Sequence, residues 1–194
     1  TNCMQIQPND RLIIITDNAR EEIGQAIGKK SSKVCETKIL KIEDFITRPA
    51  ISFPIEFQKA IEDFKPSASI YAATGQEGEL QGFRFKLIDK LAQDLNCRHG
   101  HMIGINEQIM LDGMSKDYVA IGKAAQALHK ILQPAHKIAV TDEYGTDLKV
   151  TLSTSPDRKW KVDDGIFTKP HDWGNLPAGE VYTCPDEANG QVVA

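Results

Sequence analysis

Long apolar runs, paired cysteines and a dominant sign of charge are all missing from this 194-residue chain, and each absence excludes something. No window approaches the roughly 20 successive apolar residues that span a bilayer, so no membrane partner is expected. The start Thr1-Asn2-Cys3-Met4-Gln5 lacks the basic and apolar regions of a signal peptide, which points to the cytoplasm. Because the chain does not start on methionine, trimming at both ends is expected. Cys3, Cys35, Cys97 and Cys184 stand far apart, with neither the C-x-x-C spacing of a zinc or redox motif nor the density of a secreted scaffold. They read as reduced thiols. Net charge is −4 with both signs interspersed, and the densest basic cluster, Lys29, Lys30 and Lys33, reads as a solvated face. No nucleic-acid partner follows from it. A G-x-S-x-G elbow and a Cys–His pairing are also missing, which leaves nucleophilic hydrolysis without sequence support.

What is present is a length and an apolar share, 41%, that can bury a core, arranged first as alternating strands and helices. Leu12-Ile13-Ile14-Ile15-Thr16 is a continuous apolar run of the kind buried on both faces of a sheet. Asp17 offers a helix cap, and Ile23, Ala26 and Ile27 follow at helical spacing up to Gly28 and its lysines. A second strand is expected near Val34 to Leu40. Pro54 opens a helix with Phe57, Ala60, Ile61 and Phe64 on its buried stripe, and Pro66 ends it. Ser69-Ile70-Tyr71-Ala72-Ala73 is a third strand. Leu80, Phe83, Leu87, Leu91 and Leu95 mark the longest helix, and Cys97 to Ile103 a fourth strand. Ser115 or Asp117 caps a last helix through Leu132, stopped by Pro134. This alternation predicts an α/β fold, a largely parallel sheet flanked by helices, over residues 1–134.

From about Ala135 the pattern changes. Ile138 and Val140, then Leu148, Val150 and Leu152, alternate with polar residues on either side of Asp142-Glu143-Tyr144-Gly145-Thr146-Asp147, which predicts a β-hairpin. Short β-like pieces follow at Lys159 to Val162 and Glu180 to Tyr182. Residues 135–194 therefore read as the start of a β-rich unit.

Several local groupings carry a sharp and a plain reading. His99 and His101 fall on one face of a strand, a workable chelate, but the favoured reading is a histidine pair at a strand end. Thr74-Gly75-Gln76-Glu77-Gly78 lies between strand and helix like a phosphate loop, yet Glu77 and Glu79 would repel an anion, so it reads as a flexible connection. His171 and Asp172 are near in sequence to Glu180 and read as solvated loop residues.

The run Asp163-Asp164-Gly165, Trp173-Gly174-Asn175-Leu176-Pro177-Ala178-Gly179-Glu180-Val181 and Ala188-Asn189-Gly190 resembles the thermophilic metallo-aminopeptidases of the aminopeptidase T and aminopeptidase S type. His101 to Ile105 is similar to the family's His-Met-Pro-Gly-Ile, with Ile103 in place of proline, and Gly145-Thr146-Asp147-Leu148 to its hairpin. Cys184 departs from the alanine usual there. The resemblance implies that Glu180 is a metal ligand and that residues 135–194 begin the metal-binding catalytic domain. It further implies two divalent ions (zinc, cobalt or manganese), a metal-activated water that cleaves the first peptide bond of a peptide substrate, and a homodimer. Since the family draws its other ligands from farther downstream, these residues alone are expected to be inactive. The alternatives are a ring-cleaving iron dioxygenase of the dihydroxypyridine type, told apart by iron dependence and oxygen uptake, and a non-catalytic α/β binding module.

Overall fold

The computed structural model describes residues 3–193, and Thr1, Asn2 and Ala194 lie outside the described residues. Two compact units divide the chain, one running to Tyr118 and including Gly165–Ala178, the other holding Val119–Asp164 and the chain from Gly179 on.

The first unit is built on five parallel strands: β1 Arg11–Thr16, β2 Glu36–Lys41, β3 Ala68–Ala72, β4 Arg98–His101 and, completing the sheet, Trp173–Asn175. Their order across the sheet is β2, β1, β3, β4 and then Trp173–Asn175. Ile13 and Ile15 of β1 and Tyr71 of β3 point to one face, where α2 (Ile55–Phe64) and a long helix bring Phe57, Ile61, Phe83, Leu87 and Leu91. Leu12, Ile14, Ala68 and Ala72 point to the other, under Ile23 and Ile27 of α1 (Glu21–Ser31) and Ile109 of α4 (Glu107–Asp112). Burial on both faces is why β1 reads as an unbroken apolar run. The long helix, α3, winds in three consecutive pieces, Leu80–Arg84, Phe85–Ile88 and Asp89–Asp94, the outer two as wider π-turns.

Two expectations need correction here. Asp17 caps no helix: α1 starts at Glu21 behind Arg20, and no side chain bonds to its first amides. Asp17 instead accepts from Arg48 and from the Thr74 amide at 2.8 Å, an ion pair and hydrogen bond that outweigh a cap in a buried site. Trp173–Asn175, absent from the strands expected above, is the fifth strand. Its three residues are too few to show a period, and pairing with β4 supplies what periodicity lacks.

The second unit holds the rest of α5 (Tyr118–Leu132) and two small antiparallel sheets. Lys137–Thr141 and Asp147–Leu152 form the expected hairpin, here β5 and β6, with Asp142 folding the turn by accepting from the amides of Tyr144 and Thr146. Pro185–Gln191 pairs with β6 on its other side. Lys161–Asp163, numbered β7, pairs with Glu180–Tyr182. In chain order Trp173–Asn175 is β8, Glu180–Tyr182 β9 and Pro185–Gln191 β10. No described helix is long and apolar enough to cross a membrane.

Candidate functional site

The stretch from Trp173 to Val181 carries the chain from β8 to β9, and each residue has a physical task. Asn175 ends β8 opposite His101, and the Leu176 amide donates to the His101 carbonyl at 3.0 Å. The Leu176 side chain is buried among Met102, Ile105 and Tyr118. The Ala178 amide lies 3.4 Å from the Tyr118 hydroxyl, which accepts from it. Gly179 then takes φ +126, a conformation that side chains rarely adopt, and its amide donates to the Asp163 carbonyl at 2.9 Å. That turn seats Glu180 directly across from Asp163 on the β7–β9 pair. Burial, then the negative charges of Asp163 and Glu180, push the Tyr182 phenol above its ordinary value.

Glu180 is exposed, and Asp163 is the carboxylate that the backbone brings beside it. Two carboxylates can start a hard-cation site but cannot complete one for two ions, each of which needs several ligands in fixed geometry. Among the described residues no group of three or more His, Cys, Asp or Glu could hold a metal ion. The donor set of these residues therefore does not by itself fit a two-metal centre.

His171 and Asp172 serve local structure. Asp172 accepts from the amides of Thr168 and Lys169, and His171 Nδ1 donates to the Ala92 carbonyl at the end of α3, at 2.9 Å. His99 and His101 do share one face of β4, and both are buried. Ser69 Oγ is 2.8 Å from His99 Nδ1, His99 Nε2 is 3.0 Å from His101 Nδ1, and the His101 ring stacks on Tyr71 with centroids 4.5 Å apart.

Sequence reasoning missed a second grouping, at the carboxyl ends of β1 and β3. The strand order reverses between these two strands, and ligand sites of open α/β sheets collect at such places. Here the opening is filled from within. The Arg48 guanidinium is buried and pairs with Asp17 and with Glu79, and donates to the Thr74 carbonyl at 2.8 Å. Glu79 also accepts from the amides of Ala50 and Gln76, at 2.8 and 3.0 Å. Burial alone would raise the Glu79 carboxyl, but the Arg48 bond and these two amides hold it below its ordinary value. Burial likewise acts against the Arg48 charge and is overcome by Glu79 and Asp17, so its proton is held more firmly than usual. The available signals were an aspartate directly after an apolar strand and a glutamate just before a helix, both of which have commoner explanations.

No protein-family model matches this chain, and no curated protein matches it. In fold it is similar to wild-type AmpT from Thermus thermophilus, with a TM-score of 0.52 over 96% of this chain at 15% identity. The chain spans 60% of that protein's length. At 15% identity this likeness is one of fold.

Proposed function

We propose that this chain supplies the α/β part, and one metal ligand, of a metal-dependent aminopeptidase that removes N-terminal residues from peptides. The observation that carries the reading is the likeness of fold to AmpT over nearly the whole chain, joined to the run in which Gly179 turns Glu180 onto β9. Glu180 is the residue assigned to the metal, with zinc, cobalt or manganese as the candidate ions. The remaining ligands would come from residues beyond these 194, so the chain alone is expected to hydrolyse no peptide. A homodimer and a cytoplasmic location belong to the same proposal. Titration of a longer polypeptide containing this sequence with zinc, cobalt and manganese tests it: two tightly bound equivalents are expected. The second reading, a non-catalytic α/β binding module, draws on the lack of any three-donor group among the described residues. Failure of the longer polypeptide to bind any of the three metals would favour it.

A further inference from the structure

Strand β5 has one neighbour in its sheet, β6, and its other edge is bare among the described residues. The bonds at the two ends of the hairpin show which groups that edge presents. The His136 carbonyl accepts from the Leu152 amide at 2.9 Å, and the Asp142 amide donates to the Thr146 carbonyl at 3.3 Å. Opposed residues of an antiparallel pair alternate between bonded and non-bonded, so Ile138 and Val140 bond to Val150 and Leu148. The N–H and C=O groups of Lys137, Ala139 and Thr141 therefore point away from β6, and no other described backbone group takes them. All three residues are exposed.

A bare edge is a template for another strand, and proteins usually guard it with proline, charge or a bulge. The opposite edge of this sheet is guarded in all three ways: β10 carries Pro185, a register shift between Pro185 and Glu187, and the acids Asp186 and Glu187. On β5 there is only Lys137. The sheet also has two unlike faces. Ile138, Val140, Leu148, Val150 and Ala188 lie on one, and Val140 is 44% exposed there. Lys137, Lys149, Asp147, Glu187 and Asn189 lie on the other.

We propose that β5 is an interface between two copies of this chain, paired antiparallel about a two-fold axis at Ala139. In that register Ala139 meets itself and Lys137 meets Thr141 of the second copy, so every outward N–H and C=O finds a partner. Ile138 falls opposite Val140 of the second copy, which continues the apolar face across the axis. His136 falls opposite Asp142 of the second copy, and Lys137 reaches across Thr141 towards the acid paired with it, Asp147. The two Lys149 residues end up about three strand spacings apart, roughly 14 Å, beyond the screening length of about 8–10 Å. Other centres fail. An axis at Lys137 sets lysine against lysine, one at Thr141 sets Val140 against Asp142, and one at Ile138 or Val140 turns groups already bonded to β6 towards the second copy. This self-complementarity is what selects a second copy over any other extended segment. The result is one continuous sheet, β10-β6-β5-β5-β6-β10, whose guarded outer edges stop further growth. It gives the proposed homodimer an interface and does not depend on the peptidase reading.

The test is sedimentation equilibrium of the 194-residue chain up to about 1 mM, repeated with Ala139→Pro, with Thr141→Lys, and with Lys137→Glu added to Thr141→Lys. One short strand pair is small for a stable interface, so the dissociation constant should be on the order of 0.1 mM. Ala139→Pro takes away an outward N–H and none that β6 uses, so it should leave the chain monomeric at every concentration. Thr141→Lys sets like charges opposite each other twice across the axis and should weaken the dimer about ten-fold, and the added Lys137→Glu should restore it. A monomer at 1 mM, a dimer as strong in Ala139→Pro, or no recovery in the doubly substituted chain would each overturn the proposal. A dimer unmoved by all the substitutions would keep the homodimer and reject β5 as its interface, and the metal titration of the longer polypeptide tests the peptidase reading separately.

Discussion

At the scale of single residues, the most costly groups to disturb are those buried with charge. Arg48 joins two carboxylates that water does not reach, so Arg48→Met leaves Asp17 and Glu79 as unpaired buried acids. Removing one partner from such a pair costs about 3–5 kcal/mol, and urea unfolding should show a loss of that size. His99 and His101 set the response to mild acid. Burial first, then the neighbouring His101 for one and Arg84 for the other, holds both well below 6.5. In the unfolded chain they take up protons as the pH falls through about 6.5, whereas in the folded chain His101 refuses its proton until about 4 and His99 until well below its ordinary value. Stability is thus fully present above the unfolded value and declines between the two. Near pH 5 the unfolding free energy should change with pH by about two protons' worth, and by about one in His99→Gln. A flat profile from pH 7 to 4.5 would contradict the buried neutral pair.

At the scale of elements, packing decides more than propensity. Gly82 lies on α3, and a Cβ there would run into the Ile51 carbonyl, a backbone atom that cannot swing aside. Gly82→Ala improves helix propensity in isolation, yet it should lower the thermal midpoint, at a cost of about 1–3 kcal/mol. The apolar stripe of α3 and the unbroken run of β1 were legible in sequence because each repeats its period over enough residues to be unmistakable. Trp173–Asn175 was not legible, since its pairing with His99 to His101 is a contact between residues about 70 positions apart that local pattern cannot encode. The same limit hid Arg48, which sits in a loop and gains its meaning only from Asp17 and Glu79, each some 31 residues away. Of the candidate site, Glu180 was picked out by its surrounding motif, while its neighbour Asp163 across β7–β9 appeared only with the fold.

At the scale of the whole molecule, the two units differ in how much they bury. Strand β1 is buried over five successive residues, whereas β5 and β10 are almost wholly exposed. Local opening follows that difference, so amide hydrogen exchange should find β5, β6 and β10 opening at much lower free energy than β1, β3 and β4. Protection of β10 equal to that of β1 would show a cover for the second unit that its own residues do not supply. The likeness of fold to AmpT covers 96% of this chain and 60% of that protein, so the proposed catalysis is tested on a longer polypeptide containing these residues. The measurement that bears most directly on the central claim is hydrolysis of a leucine anilide by such a polypeptide, with and without Glu180→Gln. The account predicts metal-dependent cleavage that falls by at least about a hundred-fold in the variant, the size expected when a group essential to a catalytic metal is removed. Cleavage at the same rate in both proteins would contradict it.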